Sequence, residues 1–482
     1  MKNINLTVDK FKNGALFGMS FICLYLFLTT GSYASDYTFT QAWTLVQENN
    51  DKLAASRANS QKAEHMINAA KSLYMPQISL GGTYTRLDED IALSPSQLIG
   101  STPVGDELNS IIASLAAAAG IPIDQVNNAL TSKIADKNVV LASLNAVWPI
   151  YAGGRIDAAQ DIALGQLKET QYLLRIEKQS LFEKLVKIYF GTVLAKQVLA
   201  ARVNAEKGLY KHFDHAKKME EQGQIAKVER LKAEVSHDKA RVERNKAQRN
   251  EEMALMALKR LLKAQDEVIV TNDLFVNKEL PVLDEIITAT LNNHPGLGVL
   301  EAKRLQAEGL INVQQGKYLP EMFLFGNYNL YEQDDLASEM TPDWMVGVGV
   351  KIPLTTRDGR SGKLKAARSS LLQVDHLKAQ AIQDLNLLVE KTWREARIAL
   401  EEYNGLTSSL ALADENITMR EKAFTQGLST SLEVVDAELF LVSIITQRQV
   451  ASYRYVLSLA RLLGLSDQMA AFAEYQKKVN YE

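Results

Sequence analysis

The sequence predicts a mainly α-helical protein with a small β part, built from two copies of one structural unit. Three observations carry this reading. Only ten prolines occur in 482 residues, and the stretches 150–280 and 354–482 contain none. Proline breaks helix interiors, so both stretches are free to be almost wholly helical. The same landmarks recur in both halves, and beside the paired prolines lie segments whose apolar residues alternate with period two. With 46% apolar and 23% charged residues, disorder, collagen and a disulfide-stapled scaffold are excluded. A net charge of −3 argues against a nucleic-acid partner, which needs a basic excess.

Residues 1–34 read as a signal peptide. Lys2, Lys10 and Lys12 precede an apolar run from Ala15 to Thr30, and Ser32-Tyr33-Ala34 offers small residues for cleavage before Ser35. About 16 apolar residues are short for a membrane span. Cys23, the only cysteine, lies in this run behind Phe21 and Ile22, which do not resemble a lipidation site. The mature chain, with a charge of −5, then has no thiol for disulfides or metal. No later segment reaches 18 consecutive apolar residues, which excludes a helical span.

The duplication divides the chain at about 275, into 35–275 and 276–482. Asn49-Asn50-Asp51-Lys52-Leu53 returns 244 positions later as Asn293-His294-Pro295-Gly296-Leu297, and Tyr74-Met75-Pro76 as Tyr318-Leu319-Pro320. Further on the offset falls to about 204: Pro149 matches Pro353, Gly154-Arg155 matches Gly359-Arg360, and Gly223 matches Gly427. Each half is thus a helix, an extended pair, a long helix, a Gly turn and a return helix. The long helices, from Gly154 to Gly223 and from Gly359 to Gly427, would each be on the order of 100 Å long. Leu181, Leu185, Ile188, Thr192, Ala195 and Leu199 step by 4-3-4-3-4, a seam suited to coiled-coil packing. Leu385, Leu388, Thr392, Ala396, Ala399, Tyr403 and Leu406 repeat it in the second half.

The strands are expected at about 77–87, 139–150, 321–332 and 343–354. In the last, Trp344, Val346, Val348, Val350 and Ile352 share one face, while Gly347, Gly349 and Lys351 share the other. Periodicity alone fits a membrane β-barrel and a half-buried soluble sheet equally. Export without an anchor, and strands set between very long helices, favour the barrel. Four strands cannot close one, since about eight is the minimum. Two chains would supply eight strands and three would supply twelve. Between the first two strands the chain carries about 40 extra residues, around 88–137, with one short helix at Leu108 to Ala119. It reads as a tolerated outward-facing insertion ahead of a receptor or plug.

Little points to catalysis. His212 and His215 have an i, i+3 spacing but no third ligand, so no metal is expected. Gly347-Val348-Gly349 lacks the third glycine of a nucleotide fingerprint, and no HExxH, GxSxG or P-loop pattern occurs.

The signal peptide, the duplicated Asn-Asn/His-Pro-x-Leu and Tyr-x-Pro landmarks, and the paired Gly-Arg turns together resemble TolC-type outer-membrane efflux proteins, over residues 36–470. The resemblance implies three chains: a twelve-stranded barrel in the lipid of the Gram-negative outer membrane, continued by a long periplasmic α-helical barrel. It implies a passive duct of a tripartite efflux or type I secretion system, exporting small molecules or proteins. The partners would be a periplasmic adaptor and an inner-membrane pump of RND, ABC or MFS type, with no cofactor. The competing reading is a non-conducting periplasmic coiled coil with a structural or adhesive role.

The resemblance also implies site residues. Gly223, Gln224 and Ile225, with Gly427, Leu428 and Ser429, correspond to tip turns that meet the adaptor. Glu433 and Asp436 correspond to an acidic pair that narrows the closed pore. Positions i and i+3 share a helix face, so three chains would place six carboxylates about one axis. Thr430 and Glu433 also form a capping-box pattern, which accounts for Glu433 without a pore. Ser429 stands where the family carries an Arg. Gly154, Arg155, Gly359 and Arg360 would form the strand-to-helix turns.

Overall fold

The computed structural model describes residues 35–331 and 336–478. The expected signal peptide lies outside the described residues. The described residues begin with β1 (Ser35–Tyr37), α1 (Phe39–Asn49) and α2 (Asp51–Lys71). Strand β2 (Gln77–Arg86) leads into the insertion, made of β3 (Ile91–Leu93), α3 (Pro95–Gly100), α4 (Gly105–Ala118), α5 (Ile123–Leu130) and β4 (Ser132–Ala135). Then follow β5 (Asn138–Tyr151), α6 (Arg155–Glu221), α7 (Lys227–Leu262) and β6 (Val268–Val270). The second half has α8 (Leu283–Asn293), α9 (Pro295–Gly316), β7 (Glu321–Tyr331), α10 (Leu336–Met340), β8 (Trp344–Lys351), α11 (Arg360–Thr425) and α12 (Ser431–Leu465), and the described residues end with α13 (Phe472–Lys478).

Paired landmarks do paired work. Asn50 Oδ1 accepts the amide of Leu53 at 3.0 Å and starts α2, while His294 Nδ1 accepts that of Gly296 at 3.1 Å and starts α9. Each satisfies one of the orphan donors of a first helical turn. Helices α6 and α11 contain 67 and 66 residues, so each arm is about 100 Å long. Helix α6 packs against α7, and α11 against α12. The seam lies inside these contacts: Leu181, Leu185, Thr192, Leu385, Thr392, Ala396 and Ala399 are all buried.

The main core girdles the middle of α6. Phe39, Phe182, Tyr189, Phe190 and Phe472 pack edge-on or tilted, bringing α1 and α13 onto the arm. The Tyr189 hydroxyl donates to the Tyr37 carbonyl at 2.7 Å, beside the parallel β1–β6 pair.

The four long strands form one antiparallel sheet in the order β2-β5-β7-β8. Its register puts Ile78 opposite Ala146, Leu80 opposite Leu144, Trp148 opposite Leu324, and Leu324 opposite Val348. This apolar face is uncovered: Leu80, Val346 and Val348 are 70%, 72% and 63% exposed. The other face is polar at its centre, where Asn327 Nδ2 donates to Asn145 Oδ1 at 2.8 Å. On that face the rings of Phe323 and Phe325 lie over Gly349 and Gly347, where a Cβ would meet ring atoms at 2.4 and 2.6 Å. A soluble sheet would bury its apolar face, whereas this sheet presents it outward as a lipid-facing barrel wall does. Among the described residues, strands β2 and β8 each keep one unpaired edge.

The insertion differs from the single short helix expected at Leu108 to Ala119. It holds three helices and the β3–β4 pair. The extra helices are short: Ser94 and Gln97 form a capping box, with Pro95 opening α3, while α5 follows Pro122 with no side-chain cap.

Candidate pore constriction at the helix tips

Both arms turn by the same device. Gly223 and Gly427 have φ of +69° and +72°, the left-handed conformation that glycine adopts without a Cβ penalty. The amide of Gln224 donates to the Met219 carbonyl, and that of Leu428 to the Ala423 carbonyl, both at 2.8 Å. These bonds satisfy the last carbonyls of α6 and α11 in Schellman fashion. Of the tip-turn residues, Gly223, Gln224, Gly427 and Leu428 are exposed, while Ile225 and Ser429 are half-buried. Ile225 packs beneath the tips on a small core containing Ala233, Phe424 and Val434.

The two return helices start differently. Thr430 and Glu433 form the capping box of α12. Glu433 accepts from the Ser429 hydroxyl at 2.6 Å and from the Thr430 amide at 2.9 Å, and pairs with Arg420 at 3.1 Å. The hydrogen bond from Ser429, followed by that from Thr430, holds this carboxyl below the usual carboxylate range. Helix α7 has no such side-chain cap on Ala226. Its Glu229, six residues after Gly223 as Glu433 is after Gly427, reaches across instead. Glu229 Oε2 accepts the Ser431 amide of α12 at 2.9 Å. Its bonds to Lys232 and then to Ser431 hold its carboxyl low as well.

Ser431 is tied a second time, by a 2.7 Å hydrogen bond between its hydroxyl and His212 Nε2 on α6. The His212 ring meets Phe424 of α11 edge-on at 4.5 Å. Burial pulls this imidazole down to about 4, with the charge of His215 adding to it, so the ring is neutral near pH 7. His212, Glu229, Ser431 and Arg420 therefore belong to the site although the sequence reading did not assign them to it. The equal spacing of Glu229 and Glu433 from their glycines was the available clue.

Asp436 is exposed and has no hydrogen-bond or ion-pair partner among the described residues. Of the two candidate acids it is the free one, while Glu433 is engaged by its cap and by Arg420. Two residues further on, Glu438 is buried against Gly208. Burial pushes its carboxyl up to about 7, with nearby Glu421 adding to the effect. It lines a cavity of about 430 Å³ between α6 and the α11–α12 pair, together with Tyr403 and Arg448.

At the opposite ends of the arms, Gly154 and Gly359 open α6 and α11 with φ of +74° and +70°. Arg155 pairs with Glu321 at the base of β7 at 2.7 Å. Arg360 donates to the carbonyls of Lys317, Pro353 and Leu354 at 2.9–3.1 Å and stacks on Tyr318. Arg155 thus fastens α6 to the sheet, and Arg360 fastens α11 to the segments flanking β7 and β8. Gly153, beside Gly154, is the tightly packed glycine: a Cβ there would lie 2.5 Å from the Gly316 carbonyl oxygen.

The family described as outer membrane efflux protein matches residues 43–263 and 286–465. The outer membrane efflux protein BepC of Brucella suis biovar 1 (strain 1330) is 22% identical over 467 residues, covering 94% of this chain and 91% of its own. The solved CmeC outer membrane channel of Campylobacter jejuni aligns with a TM-score of 0.69 at 14% identity, over 92% of this chain and 90% of its own. The open state of the Neisseria gonorrhoeae MtrE outer membrane channel aligns with a TM-score of 0.69 at 17% identity, over 89% of each chain.

Proposed function

We propose, for a chain that belongs to the outer membrane efflux protein family, that three copies form one passive duct, fed by a periplasmic adaptor and an inner-membrane pump. The observation that carries this reading is the sheet. Four strands with an uncovered apolar face and two unpaired edges cannot close alone, and three copies joined β8 to β2 would give twelve strands. The 67- and 66-residue arms would continue that barrel as a helical tunnel through the periplasm. The family and fold are those of channels rather than enzymes. The family supports a duct over the non-conducting coiled coil.

The tips would form the closed end. Six carboxylates, Glu433 and Asp436 from each chain, would ring the axis and favour cations. Within that ring Asp436 supplies most of the uncompensated charge, because Arg420 sits 3.1 Å from Glu433. The exposed Gln224 and Leu428 at the two turns would meet the adaptor.

The test is single-channel conductance in planar bilayers, with the mass of the detergent-purified assembly measured in parallel. The expected result is a three-chain particle with a small, cation-selective conductance that rises when Glu433 and Asp436 are neutralised. A particle that conducts nothing even then would leave the non-conducting coiled coil as the better account.

A further inference from the structure

The duct reading leaves the insertion, residues 87–137, without a role. Between Ile91 and Ser132 its only charged residues are Asp106, Glu107 and Asp124. Helix α4 carries an uncovered apolar face: Leu108, Ile111 and Leu115 are 41%, 52% and 65% exposed. With Ala118 they step by 3-4-3, the spacing of a coiled-coil seam. The buried positions of α4, Gly105 and Ala116, lie off that seam, so it is not what holds α4 to its own chain.

The sheet order says what stands beside this face. The insertion leaves from the β2–β5 hairpin, and β2 is an open edge of the sheet. In a three-chain barrel that edge is the junction with the next copy. Size points the same way. Twelve strands about 4.8 Å apart and tilted by about 40° enclose a barrel about 24 Å across. A compact unit the size of residues 87–137 is itself about 25 Å across. Three such units over one mouth come into contact. At 14 residues α4 is about 21 Å long, which exceeds the barrel radius of about 12 Å.

We propose that the α4 helices of three copies meet over the outer mouth, burying Leu108, Ile111 and Leu115 in a three-helix cap that narrows the exit. This rests on the three-chain duct proposed above. The occupant of the apolar face is a second copy of the chain rather than lipid or an external protein.

Cysteine cross-linking tests it directly, because the only native cysteine, Cys23, precedes the expected cleavage site. Leu108→Cys, Ile111→Cys and Leu115→Cys are made singly in a Cys23→Ser background and oxidised in outer-membrane vesicles, with Ala117→Cys on another face of α4 as control. The expected result is disulfide-linked dimers from the three seam variants and none from Ala117→Cys. The mass of the assembly is measured on the same preparations. If it is a trimer and the seam cysteines stay monomeric while reacting with a polar maleimide, the cap is overturned and the duct stands. Protection from maleimide that vanishes in detergent, without dimers, would put the face on the bilayer and also overturn the cap. Absence of a trimer would remove the duct reading itself. As a second readout, Ile111→Glu with Leu115→Glu is expected to raise single-channel conductance while the trimer persists. An unchanged conductance in an intact trimer counts against a constriction at the exit.

Discussion

Glu229 Oε2 accepts the backbone amide of Ser431 at 2.9 Å, so a carboxylate of the first helical tip caps the return helix of the second. The duplicated position, Glu433, caps its own helix instead. The same residue at the same distance from a paired glycine thus performs a local task in one copy and a cross-linking task in the other. His212 adds a second tie to Ser431. The two tips of one chain are consequently a single unit, and separating them breaks both bonds.

The first prediction follows from that link. Glu229→Ala should cost about 1 kcal/mol, the usual loss for removing a helix cap. It should also raise the conductance of the closed channel by loosening one tip from the other. Glu229→Gln keeps an oxygen acceptor and should restore most of both properties. Thermal unfolding and bilayer recordings on the two variants check this, and equal behaviour of Ala and Gln would show that the bond to Ser431 does not hold the tips.

A second prediction separates capping from the pore field. Glutamine serves in a capping box as well as glutamate, so Glu433→Gln should leave the start of α12 intact while removing a half-buried carboxylate that Ser429, Thr430 and Arg420 hold against the helix end. Asp436→Asn removes a charge with no partner. The reversal potential in a salt gradient should therefore move further towards non-selectivity in Asp436→Asn than in Glu433→Gln. The opposite order would assign the constriction to Glu433.

A third concerns the junction of sheet and arm. At Gly154 the φ of +74° penalises alanine, but a Cβ there meets nothing within 4 Å, so Gly154→Ala should cost about 1 kcal/mol. At Gly153 the same kind of strain combines with a 2.5 Å approach to the Gly316 backbone, so Gly153→Ala should cost roughly 3 kcal/mol or more. Yield and melting temperature of the purified assembly distinguish the two.

The arms, the turns and the strands were legible because each rests on a local rule. Missing prolines, left-handed glycines at 223 and 427, and alternation in Trp344 to Ile352 need no tertiary information. The Asn50 and His294 caps were visible as landmarks, though not as caps. What stayed hidden depends on approach between distant segments. Nothing in the spacing of Gly153-Gly154 says which one faces Gly316. Nothing around Glu229 says that its partner lies 202 positions away. The insertion was underread because its extra helices are only 6 and 8 residues long, too short for periodicity to show.

The last prediction concerns two buried groups that titrate over nearly the same range with opposite sign. His212 has its folded pKa lowered to about 4 from an ordinary 6.5. Between those values the unfolded chain binds the proton more readily, so stability falls as pH drops from 6.5 towards 4. The swing is at most roughly 3–4 kcal/mol. Glu438 has its folded pKa raised to about 7 from an ordinary 4.5. There the folded chain holds the proton more tightly, so stability is greatest below 4.5 and is lost as pH rises towards 7. The two slopes oppose, and the wild-type melting temperature should vary little between pH 4.5 and 6.5. Each single variant should uncover the other group. Glu438→Gln should leave a melting temperature that climbs with pH across this window, and His212→Gln one that declines. Melting curves of the purified assembly at half-unit pH steps read both. Parallel profiles for the two variants would mean that neither group titrates as its burial requires.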